Sequence, residues 1–211
     1  IPLLERIGKT KKPVILSTGL AYKNEIRLAI NTLKKNGCKN IALLKCTSNY
    51  PADPSFSNLE TIRDMRKNFH CEVGLSDHTK GIGVAIASIV FGSSIIEKHI
   101  TLDVNDGAID SKFSLEPNDF KKLKIEVENC WNSIGKIAYG PTKDDKKNLK
   151  FKRSIYFIKN NKKNHILTNE DIKIVRPNNG IEPKYFEKII GKRLNKNIKK
   201  NTPVKIKDFK F

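Results

Sequence analysis

The first 140 residues alternate between short apolar runs and amphipathic stretches of helical period, and this alternation restricts the possible folds most. The apolar runs fit buried strands and cover residues 13–18, 41–46, 72–76 and 95–99. A helical pattern follows each run, over about residues 24–35, 59–67, 81–91 and 117–134. Strands that alternate with helices form a parallel sheet with right-handed crossovers. The sequence therefore predicts an α/β fold with consecutive βα units.

Polar side chains cluster where these four runs end, as Ser17-Thr18, Thr47-Ser48, Ser76-Asp77-His78 and Glu97-Lys98-His99. In parallel sheets the ligands and the catalytic groups lie at the carboxyl ends of the strands. His78 and His99 end neighbouring strands, which lie about 4.8 Å apart. Two imidazoles at that spacing can share one divalent first-row metal ion. A single histidine at a strand end is more often structural, but the pair favours a metal site.

The C-terminal part of the chain differs in character. Short β-prone stretches cover residues 154–158, 172–175 and 204–206, between turn signals such as Asn178-Asn179-Gly180. One short helical pattern covers residues 183–190. The sequence therefore predicts a sheet domain over residues 1–140, a polar basic linker over 141–152 and a small β-rich domain over 153–211.

The formal net charge of +19 raises the question of a nucleic-acid partner. Residues 141–211 hold 21 Lys and Arg against 7 Asp and Glu, so most of the excess lies there. Only 7 of the 41 basic residues are Arg, whereas nucleic-acid readers favour Arg and spaced aromatic side chains. We therefore expect no nucleic-acid partner. A non-catalytic basic module that binds a polyanion stays open as an alternative.

Several other classes of protein are disfavoured. The cysteines at positions 38, 46, 71 and 130 form no C-x-x-C pair, which argues against a zinc or redox motif. No apolar run approaches the ~18 residues of a membrane span, and no signal peptide opens the chain, so we expect a cytoplasmic protein without a membrane partner. Gly81-Ile82-Gly83 lacks the third glycine of a dinucleotide-binding loop, because Ile86 occupies that position.

Four motifs, in order, carry a specific resemblance. They are the sequences PVILSTG at 13–19, LKCTSNYP at 44–51, GLSDHT at 74–79 and IEKH at 96–99. They closely resemble the sialic-acid synthase family, whose members condense phosphoenolpyruvate with an amino sugar. The sequences KRSIY at 152–156, RPNNG at 176–180 and IGK at 190–192 resemble that family's C-terminal antifreeze-like SAF domain. Residues 110–117 and 139–142 look most like pseudaminic acid synthases, with N-acetylneuraminate and legionaminate synthases as alternatives.

The resemblance implies a fold and an assembly. It implies that residues 1–140 are the C-terminal half of a (β/α)8 barrel, followed by the small β-rich SAF domain. It places the family's first four strands, with an acid/base Glu and phosphoenolpyruvate-binding Lys residues, ahead of this chain. We therefore expect an N-terminally truncated chain that has negligible activity alone. It also implies a domain-swapped homodimer in the full-length enzyme.

The resemblance also assigns site residues. It makes His78 and His99 the ligands of a divalent ion (Mn, Mg or Co) that polarises the sugar aldehyde. Glu97 is charged and ends a strand, so we expect it to be a further catalytic group that orients a ligand or a Lys. The resemblance assigns Ser17, Ser48 and Ser76 to phosphoenolpyruvate, and Tyr50, Asp110 and Arg176 to the amino sugar.

Each of these residues has a plainer interpretation. The three serines could cap strand ends, Tyr50 could pack before Pro51, and Asp110 could be an N-cap. Arg176 could be an ordinary solvated side chain. Asp77 could orient an imidazole or cap the following helix. His70 and His165 have no such context and are expected to be surface residues.

Overall fold

The computed structural model describes residues 1–210, so Phe211, the last residue of the predicted second domain, lies outside it. The contacts divide the chain into two compact units, one covering Ile1–Lys136 and the other beginning at Ile137. Every helix in the described range is too short or too polar to cross a membrane.

The first unit is built around a parallel sheet. Its elements are α1 (Pro2–Lys9), β1 (Val14–Ser17), α2 (Lys23–Lys35), β2 (Ile41–Cys46), α3 (Glu60–Phe69), β3 (Glu72–Asp77), α4 (Gly83–Val90), β4 (Ile96–Lys98) and α5 (Pro117–Ile134). Among the described residues the strands lie in the order β1-β2-β3-β4, and every neighbouring pair is parallel. This arrangement confirms the predicted α/β fold with four βα units, as in half of a (β/α)8 barrel.

Helices cover one face of this sheet. Leu43, Val73 and Leu75 belong to a buried core that they share with apolar residues of α2 and α3, among them Leu33 and Ile62. Side chains alternate between the two faces of a strand. The residues between those core positions therefore point to the opposite face, which includes Ser17, Ser76 and Glu97.

Helix α1 was not predicted from the sequence. Pro2 occupies its first turn, where a missing N–H costs nothing. Leu4 and Ile7 pack against the core of the first unit. The helix approaches α2 closely, since a β-carbon on Gly8 would lie 2.9 Å from the carbonyl oxygen of Leu33.

The second unit contains an antiparallel pair, β5 (Ser154–Phe157) and β6 (Ile172–Val175), and a short helix α6 (Phe186–Ile189). Its core includes Ile155, Phe157, Leu167, Leu194 and Val204. The predicted small β-rich fold is therefore present. The segment predicted as a linker includes a 3-10 helix, Asp145–Phe151.

One predicted strand of this unit is wrong. Residues 204–206 end in a 3-10 helix, Ile206–Asp208, instead of continuing a ladder. The Lys205 N–H donates to the carboxylate of Asp208 at 2.8 Å, which closes the turn locally. Val204 still belongs to the core, and its N–H donates to the carbonyl of Ile155 at 2.9 Å. Side-chain capping therefore overrides the β-propensity of this stretch.

Candidate functional site

An aromatic cluster lies at the carboxyl edge of the parallel sheet, around the two histidines that follow β3 and β4. The ring centroids of His78 and His99 are 5.2 Å apart, and the rings meet edge to face. Tyr50 packs against His78 with 4.3 Å between ring centroids. Phe113 packs against His99 at 5.1 Å. The structure thus brings together the predicted residues His78, His99 and Tyr50.

His78 is held in one tautomer. Its Nδ1 lies 2.9 Å from the carbonyl oxygen of Thr47. A carbonyl can only accept a hydrogen bond, so Nδ1 of His78 carries the proton. The lone pair of the ring is therefore on Nε2. Metal-binding histidines are commonly oriented in this way through their other ring nitrogen.

His99 lies beside the predicted sugar residue Asp110, with 3.4 Å between Nδ1 and a carboxylate oxygen. The loop that carries Asp110 is folded around Asp106. The Asp106 carboxylate accepts hydrogen bonds from the N–H of Ala108 at 2.9 Å, from the hydroxyl of Thr101 at 3.1 Å and from Ser111. The bond from Ser111 is the main reason that the pKa of Asp106 lies below its ordinary value. This network positions Asp110 at the imidazole.

Backbone hydrogen bonds hold the loops that complete the cluster. The carbonyl oxygen of His78 accepts from the N–H of Ala52, and that of His99 accepts from the N–H of Leu115, both at 2.9 Å. The segments that carry Tyr50 and Phe113 therefore lie alongside the two histidines like short extra strands. Both aromatic rings reach the imidazoles because of this pairing.

The three predicted phosphoenolpyruvate serines lie along the same edge of the sheet. Ser76 pairs with Cys46 on one side and Glu97 on the other. Ser48 Oγ lies 3.9 Å from Cys46 Sγ. Ser17 ends β1, two strands away from β3. Ser76 is buried and Ser17 is exposed. Within residues 1–210 neither of these two hydroxyl groups has a hydrogen-bond partner, so both remain available to a ligand.

Two predicted residues make no contact that defines a role. Glu97 is exposed on the same face as Ser76, and its carboxylate has no side-chain partner in the described part of the chain. Arg176 follows β6 in the second unit, is exposed, and likewise has no partner among residues 1–210. Arg176 belongs to the second unit, whereas the aromatic cluster belongs to the first.

Asp77 does not cap the following helix α4, and its side chain contacts Lys98 and Thr79. One carboxylate oxygen binds the ammonium group of Lys98 at 2.8 Å, and the other accepts from the N–H of Thr79 at 2.9 Å. The sequence places Lys98 among the polar residues at the strand ends but assigns it no role. The alternation of β4 was the available signal, because it places Lys98 on the buried face opposite Glu97, and a buried Lys needs a charged partner.

Two further residues near His78, Lys45 and Thr47, were assigned no role from the sequence. Lys45 Nζ donates to the carbonyl of Cys46 at 2.9 Å and to the hydroxyl of Thr47 at 3.2 Å. Burial lowers the pKa of Lys45, and the Cys46 thiol opposes this only partly. The hydrogen bond from Lys45 holds Thr47 in position, and the carbonyl of Thr47 orients His78. A sequence pattern cannot indicate that a backbone carbonyl group, here that of Thr47, has a functional role.

His165 in the second unit has a specific partner that the sequence did not indicate. It is half-buried, and its Nε2 lies 2.8 Å from a carboxylate oxygen of Asp171. The same oxygen accepts from the N–H and the hydroxyl of Thr168, each at 2.8 Å. His70, by contrast, is exposed at the end of α3.

His78 and His99 are the two imidazole donors that this edge of the sheet presents. Within the described residues, no group of three or more His, Cys, Asp and Glu is arranged to hold a metal ion. The site therefore offers two imidazoles, His78 and His99. A catalytic metal ion keeps coordination positions open for water and substrate, whereas a structural ion is enclosed by protein ligands.

Family models cover most of the chain. The model of the NeuB family matches residues 1–139, and that of the SAF domain matches residues 152–210.

Among curated relatives, the N,N'-diacetyllegionaminic acid synthase of Campylobacter jejuni is 38% identical over 204 residues, which cover 95% of this chain and 61% of the relative. The pseudaminic acid synthase of the same species is 36% identical over 203 residues, covering 96% of this chain and 59% of the relative. The chain thus spans about three fifths of the length of these relatives.

A solved structure shows the same fold. The N-acetylneuraminic acid synthetase of Leptospira borgpetersenii, crystallised with citrate, superposes with a TM-score of 0.63 at 33% identity. The match covers 70% of this chain and 52% of that one.

Proposed function

The chain belongs to the NeuB family, and on this premise we propose that it carries the metal-binding part of the active site of a pseudaminic acid synthase. The reaction would condense phosphoenolpyruvate with a 2,4-diacetamido-2,4,6-trideoxyhexose, giving a nine-carbon 2-keto acid and phosphate. The observation that carries the proposal is the pair His78 and His99, whose ring centroids lie 5.2 Å apart at the carboxyl edge of the sheet.

His78 and His99 would hold a divalent cation through their ring nitrogens. Such an ion, Mn, Mg or Co, supplies a Lewis acid that polarises the aldehyde of the open-chain sugar. The carbonyl of Thr47 keeps the proton of His78 on Nδ1, which would leave the lone pair of Nε2 for the ion. Tyr50 packs against His78, and Phe113 packs against His99.

The serine hydroxyls at this edge would bind phosphoenolpyruvate. Ser17, Ser48 and Ser76 can donate hydrogen bonds to phosphate and carboxylate oxygens. With both substrates held, C3 of the enol forms the new bond to the aldehyde carbon. Water then adds at C2, and phosphate leaves by C–O cleavage. Proximity and charge stabilisation supply most of the rate acceleration in this scheme.

The remaining predicted residues are proposed to act on the sugar and on the ligands. Asp110, held beside His99 by the Asp106 loop, would accept hydrogen bonds from the sugar. Glu97 would orient a metal ligand or a lysine. For Arg176, only the resemblance of residues 176–180 supports a contact with the sugar of a second subunit in a domain-swapped homodimer.

A legionaminic acid synthase is the second candidate. It is favoured by the 38% identity to the Campylobacter jejuni enzyme of that name. The two candidates use isomeric diacetamido sugars, so the choice of acceptor separates them. Because phosphoenolpyruvate is a cytoplasmic metabolite, either reaction would take place in the cytoplasm.

The test is a synthase assay on the complete gene product that contains residues 1–211. We expect phosphate release and a nonulosonic acid, detected by mass spectrometry, with one diacetamido isomer strongly preferred over the other and over N-acetylmannosamine. Preference for the second isomer would select legionaminate. Absence of a nonulosonic acid with all acceptors would refute the proposed function.

Residues 1–211 by themselves are proposed to have negligible turnover. The resemblance places an acid/base Glu and the phosphoenolpyruvate-binding Lys residues outside this stretch. The same assay on the purified 211-residue chain should give no product above background. Robust turnover would show that these residues contain a complete site.

A further inference from the structure

A buried ion pair lies directly beneath the two histidines. The ammonium group of Lys98 is 2.8 Å from a carboxylate oxygen of Asp77, and both side chains are 1% exposed. Asp77 and Lys98 are opposite each other in neighbouring strands β3 and β4. His78 directly follows Asp77 in the chain, and His99 directly follows Lys98. The ion pair therefore links the two strands at the last position before the site.

The two partners also hold the backbone that follows His78. Lys98 Nζ donates to the carbonyl of Thr79 at 2.6 Å, and the carboxylate of Asp77 accepts from the N–H of Thr79 at 2.9 Å. The residues on both sides of His78 are thus tied to the residue that precedes His99. Side-chain alternation places these contacts on the helix-covered face and both imidazoles on the other face.

Stability alone does not explain this arrangement. Removing two charges from water is costly, and well-packed apolar residues of similar volume often stabilise a protein as much or more. Asp77 and Lys98 have directional hydrogen bonds that an apolar pair lacks, and two of these bonds end on the backbone of Thr79, the residue after His78. Their distinctive contribution is therefore a fixed geometry.

We propose that Asp77 and Lys98 are positioning residues that fix the separation and the orientation of the His78 and His99 rings. This inference deepens the proposed function and, for its metal-binding consequence, rests on it. Because the strand ends are held, the two imidazole rings already have fixed positions in the metal-free protein. Replacing residues that hold metal ligands in position typically weakens metal binding 10- to 100-fold.

The test is the double variant Asp77→Leu/Lys98→Met in the 211-residue chain, which removes both charges while keeping similar volumes. The matched control is Asp119→Leu/Lys122→Met, an exposed ion pair on α5 with 3.2 Å between its charged atoms. Three quantities are measured: the unfolding midpoint, the tautomer of His78 by nitrogen-15 NMR of the metal-free protein, and the affinity for Mn²⁺.

We expect the buried double variant to keep its unfolding midpoint, to lose the single Nδ1–H tautomer of His78, and to bind Mn²⁺ about tenfold more weakly or worse. The control should match the parent in all three quantities. A folded double variant that keeps the tautomer and the affinity would overturn the proposal.

If the double variant does not fold, Asp77→Asn/Lys98→Met decides. Asparagine keeps the volume and the acceptor for Thr79, and methionine leaves no buried ammonium group without a counter-charge. We expect a mixture of His78 tautomers, and an unchanged tautomer would overturn the proposal. If the parent itself binds no Mn²⁺, the proposed metal site fails, while the NMR comparison still tests positioning.

Discussion

A β-carbon on Gly74 would clash with the carbonyl oxygen of Ile95 and lie 2.7 Å from Cδ2 of Leu44. Neither neighbour can move easily, because one is backbone and the other is a fully buried side chain. We therefore expect Gly74→Ala to lower the free energy of unfolding by about 1–3 kcal/mol, as overpacking does. Chemical denaturation monitored by circular dichroism measures this.

Gly83 provides the matched control at the residue scale. Nothing lies within 4 Å of a β-carbon built there, and the residue begins α4. Gly83→Ala should leave the free energy of unfolding unchanged or raise it slightly, since alanine favours helix. Equal effects of the two substitutions would contradict this description of the sheet.

The position of a site residue could be predicted where the strand pattern determines it. His78 and His99 follow neighbouring strands, so their proximity follows from the topology alone. Thr47, Lys98 and Phe113 were assigned no role from the sequence, for different reasons. Thr47 acts through its carbonyl, Lys98 is recognised only with its partner on β3, and Phe113 reaches the site by backbone pairing of a loop.

At the scale of elements, Asp171 organises the connection between β5 and β6. Its carboxylate accepts from His165 and from both the N–H and the hydroxyl of Thr168, each at 2.8 Å. Burial alone would raise the pKa of Asp171, but these hydrogen bonds outweigh burial, so its pKa lies below the ordinary value. The ionised carboxylate therefore stabilises the folded state.

The pH dependence follows from that direction. An unfolded aspartate has a pKa of about 3.9, so this stabilisation is fully present above that pH and is lost as the pH falls through the lower folded value. We expect Asp171→Asn to cost about 2 kcal/mol at pH 7 and to flatten the loss of stability on acidification.

Unfolding experiments at pH 7 and at pH 3 measure the effect of Asp171→Asn. Glu170→Gln is the control, because Glu170 forms only an exposed ion pair with Lys159. Its effect should be within about 0.5 kcal/mol at either pH. A stability profile that the Asp171 substitution leaves unchanged would contradict the assigned role.

The sequence predicted the elements of the first unit to within about two residues, with the exception of α1. Buried parallel strands are short apolar runs between breakers, and each lies where that pattern placed it. The second unit was harder, because residues 204–206 are β-prone but end in a turn that Asp208 closes. Local side-chain bonds of this kind have no periodicity to reveal them.

At the scale of the whole molecule, each unit has a hydrophobic core of its own. Leu33, Leu43 and Ile62 belong to one, and Ile155, Phe157 and Leu194 belong to the other. We therefore expect residues 137–211 to fold when expressed alone, since domains of about this size can do so. A dispersed NMR spectrum and a cooperative thermal transition would show this. A spectrum of an unfolded chain would contradict it.

Mn²⁺ binding to the 211-residue chain tests most directly whether His78 and His99 form a metal centre. Calorimetry on the parent, His78→Ala, His99→Ala and the exposed control His70→Ala provides the comparison. We predict one bound ion per chain in the parent and in His70→Ala, and affinity at least about tenfold weaker in the other two variants. Equal binding by the parent and His78→Ala, or no binding by the parent, would contradict the proposed metal centre.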